Sequence, residues 1–117
     1  MNGAAGPAGR SFGQGQVVTV FRSRRRAGSE DAYPVLAEEM EAAARSAPGF
    51  VDFKTFAAED GERVSLITFA SLEDQRNWRD DPRHRAAQHR GRHELYSEYS
   101  VQVGECLHVS HWERDEQ

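Results

Sequence analysis

Apolar and polar positions along the chain fall into two periods, and the switches between them mark the elements. Val17 to Ser23 alternates, with Val18 and Val20 on one side and Val17, Thr19 and Phe21 on the other, which predicts a first strand. After the polar stretch Arg24–Gly28 the period lengthens. Tyr33, Leu36, Ala37, Met40 and Ala44 recur at helical spacing, so a helix is expected from about Asp31 to Ser46. Asp31 is the N-cap of choice because it leaves Pro34 in the first turn, where a missing N–H costs nothing, and Pro48-Gly49 stops the helix. Phe50–Ala57 reads as a second strand, with Val51 and Phe53 on one face and Phe50 and Phe56 on the other. A tight hairpin at Asp60-Gly61 leads into a third strand, Arg63–Ala70, which sets Ile67 and Phe69 opposite Val64 and Leu66. Ser71 to Asp74 is a capping box with Asp in place of Glu. It opens a short helix through Trp78. Asp80-Asp81-Pro82 ends that helix and starts another, which runs to about His93 with Gly91 near its end. Alternation returns from Tyr96 to Val109.

The order β-α-β-β-α-β predicts an α+β, ferredoxin-like sandwich: an antiparallel sheet with helices on one face. The last strand, read as Tyr96–Val109, is about fourteen residues long against a usual five or six. A four-stranded sheet cannot pair all of it, and the helices leave one sheet face bare. Both features predict a homodimer, joined through the C-terminal strand and the open sheet face into a dimeric barrel. On this reading residues 1–16 are a disordered leader, 17–109 the domain and 110–117 a polar tail.

Composition narrows the function. The chain has 117 residues, a net charge of −4 and a pI near 5.7, so it has no overall electrostatic footprint for nucleic acid. No apolar run reaches the ~20 residues of a membrane span, and residues 1–16 have no secretory apolar segment. Cys106 is the single cysteine. It excludes an internal disulfide, fits a reducing cytoplasm, and in an apolar strand reads as a buried, inert thiol. No glycine-rich phosphate loop follows a strand, so nucleotide and flavin sites are unsupported. His108 and His111 would point to opposite faces of a strand and lack companion ligands at a metal-like spacing, so no metal is expected.

The density of rings and cations is highest from Trp78 to Tyr96, which holds three of the five histidines and five of the fourteen arginines. Within it, Trp78-x-x-Asp81-Pro82-x-His84-x-x-Ala87-Gln88-x-x-Gly91-Arg92-x-x-x-Tyr96, together with Pro48-Gly49-Phe50 and the element order, resembles the antibiotic biosynthesis monooxygenase family from about Val17 to Val109. The resemblance implies the dimeric α+β barrel, with a pocket in each protomer between sheet and helices. It also implies a cofactor-independent oxygenase acting on a polyketide-like phenol or anthrone. In that chemistry the substrate loses a proton and its electron-rich anion passes an electron to oxygen. The protein supplies a dry pocket, a base and a donor for developing charge.

His84 is the expected base, because its ordinary pKa lies near neutrality; the alternative is a helix-start histidine paired with Asp80 or Asp81. Trp78 is expected on the pocket floor, or as a core ring clamping helix to sheet. Phe21, Leu36, Met40, Ile67 and Phe69 are expected to line the pocket. Gln88 and Arg92 supply polar contacts, although Arg92 also suits an exposed cation favoured at a helix C-terminus. His89 and His93 are expected to face solvent. Some similar proteins degrade haem, with a histidine ten residues after the tryptophan and an asparagine in the first strand. Here those positions are Gln88 and Phe21, so no cofactor is expected and haem is disfavoured. A third possibility is a non-catalytic, small-molecule-binding accessory dimer.

Overall fold

A computed structural model describes residues 12–115. Of eight elements, the four strands and three α-helices follow the predicted order and a π-helical turn is additional. The eight are β1 (Val17–Arg25), α1 (Ala32–Arg45), β2 (Phe50–Ala57), β3 (Arg63–Phe69), α2 (Leu72–Arg79), α3 (Pro82–Arg90), a π-helical turn (Gly91–Leu95) and β4 (Tyr96–Glu105). The strands form one antiparallel sheet in the order β2-β3-β1-β4, the α+β ferredoxin-like arrangement. No helix among the described residues is long and apolar enough to cross a membrane.

Alternation sorts β1 and β3 as expected. Val17, Thr19 and Ser23 of β1 and Ile67 and Phe69 of β3 are buried beneath the helices. In β2 the expected faces are corrected. The register slips by one residue between Phe50 and Asp52, so Phe50 pairs with Phe69 and Phe53 with Ile67, on the same side of the sheet. One extra residue in a strand reverses the parity of everything beyond it. Phe50 therefore packs edge-on against Phe69 in the core, and only Phe56 of this pair faces away.

Two clusters make the interior. Ala44, Ile67, Phe69 and Trp78 form one, and Leu36, Ala87 and Leu95 form the other. Caps set the helix directions over them. Ser71 accepts a hydrogen bond from the Asp74 N–H and Asp81 from the Arg83 N–H. Asp31 stands at the N-cap of α1 but its side chain caps nothing. Ser29 takes over the start of this helix, its carbonyl accepting from the Tyr33 N–H and its hydroxyl donating to the Arg26 carbonyl. Gly49 sits at φ +79° against Asp74. A side chain there would be strained and would overlap the Asp74 carboxylate.

The end of the chain differs from expectation. β4 stops at Glu105, so Leu107 and Val109 lie beyond any strand. Cys106 still bonds across to Gly15 and Gln16, which ties the last residues of the expected leader to the sheet edge; residues 1–11 of that leader lie outside the described residues. Cys106 is only partly buried, and its Sγ contacts the His108 carbonyl at 3.3 Å. Leu107 and Trp112 are exposed.

Candidate active site

The helices do not cover the sheet evenly. They seal it over β3 and the start of β1 but stand away from β4, and a cleft of about 450 Å³ opens there. Its floor is the helix face of the sheet: Thr19, Phe21 and Ser23 from β1, Phe53 and Thr55 from β2, Ser65 and Ile67 from β3, and Val101 and Val103 from β4. Tyr33 and Met40 of α1, Gln75 and Trp78 of α2, and His84 and Gln88 of α3 form its sides.

One end is dry. Trp78 packs on Phe69, with ring centroids 5.2 Å apart, and His84 lies on Trp78 at 4.3 Å. Trp78 and His84 retain 6% and 7% of their surface. The two rings meet because α2 ends at Arg79 and Pro82 restarts the chain as α3, folding the start of α3 back over the end of α2. Among the described residues neither Trp78 Nε1 nor His84 Nδ1 has a hydrogen-bond partner. Buried polar atoms are rarely left unsatisfied, and two together set this pair of rings apart from the rest of the interior. Burial holds the His84 pKa below its ordinary value; the nearby Asp81 charge pulls it up and Arg85 pushes it further down. His84 is thus neutral at pH 7, with one ring nitrogen able to accept a proton. Outside the cleft, hydrogen bonds from Arg79 and Arg85 hold Asp80 at about 2, so the turn before α3 stays ionised and paired.

The rest of the cleft is aromatic. Phe21 contacts Tyr96 and Tyr99 at centroid distances of 5.6 and 5.4 Å, and those two tyrosines lie 5.8 Å apart. Burial, with help from Tyr33 and Tyr99, pushes the Tyr96 phenol up to about 12. Gln75 donates to the Thr19 hydroxyl at 3.3 Å.

The structure gathers Trp78, His84, Phe21, Met40, Ile67 and Gln88 around one cleft. Leu36 and Phe69 are not among its walls. They are 1% and 0% exposed and support it from behind. Arg92 stands at its edge, and both its Nε and Nη2 donate to the Tyr99 hydroxyl, at 3.0 and 2.6 Å. His89 and His93 are exposed and contact each other edge to face at 4.2 Å. Sequence reasoning missed Gln75, Phe53, Tyr96 and Tyr99. Gln75 was within reach, one helical turn before Trp78. Tyr99 was within reach too, since it alternates with Val101 and Val103, but Tyr96 was not, because it joins that face only through a bulge in β4, where Arg24 pairs with Glu98 and Arg25 with Tyr96.

Comparison with known proteins agrees with this architecture. The family described as antibiotic biosynthesis monooxygenase matches residues 16–90. The uncharacterized protein YqjZ of Bacillus subtilis is 29% identical over 84 residues, covering 72% of this chain and 74% of that protein. Among solved structures, Rv0793 from Mycobacterium tuberculosis superposes with a TM-score of 0.73 at 20% identity, over 82% of this chain and 99% of that one. SnoaB, a cofactor-independent oxygenase from Streptomyces nogalater, superposes with a TM-score of 0.69 at 16% identity, over 80% and 95%.

Proposed function

The chain belongs to the antibiotic biosynthesis monooxygenase family, and from that premise we propose that it oxygenates an aromatic phenol or anthrone with molecular oxygen and no cofactor. The observation that carries the reading is His84: a buried, neutral imidazole with an unpartnered Nδ1, lying on Trp78 in the wall of an aromatic cleft. In the proposed reaction the neutral imidazole takes the acidic C–H or O–H proton of the bound ring. The resulting anion gives an electron to oxygen, and the two radicals recombine at the ring carbon. Loss of the second hydrogen breaks the O–O bond, leaving one oxygen atom as a carbonyl and releasing the other as water. For an anthrone this balances as anthrone plus oxygen giving anthraquinone plus water, so the substrate itself supplies every electron. The indole N–H of Trp78, a donor only, is suited to the negative oxygen that forms.

We further propose that the working unit is a homodimer in the cytoplasm. The other sheet face carries Val18, Val20, Val64 and Leu66, and Leu107 lies exposed just past β4. A second copy is the natural cover for both.

The direct test is oxygen uptake with an anthrone and no added cofactor. Wild type should consume oxygen and form the quinone, and His84→Ala should turn over ~10²–10⁴-fold more slowly. Full activity in that variant would overturn the assignment. Hemin should give no stoichiometric, reductant-driven loss of its absorption band; such loss with release of iron would point to haem breakdown instead.

A further inference from the structure

The cleft has a second polar pole, away from the Trp78–His84 end. Gln75 and Ile67 meet β1 near Thr19, whereas Tyr99 is the cross-strand partner of Ser23. Four strand residues separate these points, roughly 13 Å at ~3.3 Å per residue. The helices give a similar span: His84 to Arg92 is eight residues, about 12 Å at 1.5 Å each. Phe21 and the other apolar walls lie between.

Two irregularities build this pole. Tyr99 faces the cleft in phase with Val101 and Val103, opposite Ser23 of β1, and the β4 bulge at Ser97 turns Tyr96 to that same side. The π-helical turn after α3 then directs Arg92 back onto β4. That turn can lie this close only because residue 91 is glycine: a Cβ there would come within 2.7 Å of the Tyr96 ring. Both Nε and Nη2 of Arg92 donate to the one phenolic oxygen, at 3.0 and 2.6 Å. An oxygen that accepts two such bonds has its own proton left to give, and a neighbouring guanidinium strengthens it as a donor.

We propose that Tyr99, held by Arg92, is a positioning residue that donates a hydrogen bond to a second oxygen of the substrate, at the end of the ring system remote from His84. The cleft therefore selects flat fused aromatics that carry an oxygen at both ends of the long axis over those with one. This rests on the oxygenase reading for its substrate but not on His84 being the base.

The test is equilibrium binding of two probes, 2-naphthol with one oxygen and 2,6-dihydroxynaphthalene with an oxygen at each end, followed by protein fluorescence. Wild type should bind the dihydroxy probe about 10-fold more tightly, the worth of one charge-assisted hydrogen bond. Tyr99→Phe keeps the ring and removes only the oxygen. It should abolish that preference by lowering affinity for the dihydroxy probe to the level of 2-naphthol, and His84→Ala should retain the preference. Equal wild-type affinities, or a preference that survives Tyr99→Phe, would overturn the proposal. Loss of preference in Tyr99→Phe alongside full anthrone turnover by His84→Ala would sustain this pole while removing the base assignment.

Discussion

On the helix-covered side of the sheet Phe69, Val17 and Ile67 keep at most 3% of their surface, whereas Phe56 on the opposite side keeps 48% and Leu107, just past β4, keeps 78%. The same residue types fill both regions, so hydrophobicity alone does not separate them. What separates them is cover. Three helices crowd β3 and the start of β1, then withdraw from β4 and leave a cleft whose walls are finished surfaces. Among the described residues no helix covers the outer face. Apolar surface thus forms the core in one place, lines an open cleft in a second and stays exposed in a third.

Substitutions should report that difference in graded form. Phe69→Ala empties a fully buried site and should cost about 3–5 kcal/mol in urea unfolding. A loss below ~1 kcal/mol would mean that the helices collapse onto the sheet more freely than the packing suggests. Leu107→Glu touches nothing buried in one chain and should leave a folded molecule, yet it should move the equilibrium from dimer towards monomer. Sedimentation equilibrium at micromolar concentration should give twice 13.2 kDa for the wild type and a smaller mass for the variant. A monomeric wild type would remove the partner from the comparison.

A smaller effect is the pH dependence of His84. Its folded pKa lies below the unfolded value of about 6.5, so between the two the unfolded chain binds more protons and stability rises with pH. The favourable contribution is complete above pH ~6.5 and is lost as pH falls through the folded pKa. Wild type should therefore lose more stability than His84→Gln between pH 7 and pH 5. Parallel losses would show that the imidazole is solvated. The smallest effect should come from the exposed Arg22–Glu62 pair, two hydrogen bonds of 2.8 and 3.0 Å on the hairpin side of the sheet. Glu62→Gln should scarcely move the unfolding midpoint, because solvent screens such pairs.

Periodicity, with the cap and turn signals, located the four strands and three α-helices but neither the π-helical turn nor the end of β4, because burying one face imposes period two on a strand and about three and a half on a helix. The density of rings and cations marked the stretch from Trp78 to Tyr96, and within it the family resemblance pointed to Trp78 and His84. The sequence by itself therefore determined the element order, the topology class and the stretch that holds Trp78 and His84 of the candidate site. Only the tertiary structure decided which aromatics meet. The bulges in β2 and β4 shift parity by one residue, and that shift brings Phe50 into the core and Tyr96 onto the cleft face beside Tyr99. The π-helical turn sends Arg92 to Tyr99 instead of to solvent. His84 is dry because α3 folds back over α2 and the Trp78 ring, a contact between elements. Local patterns record which face of an element is apolar; a one-residue slip, a change of helical pitch or a shared wall arises only when elements pack, and no single element's pattern encodes it.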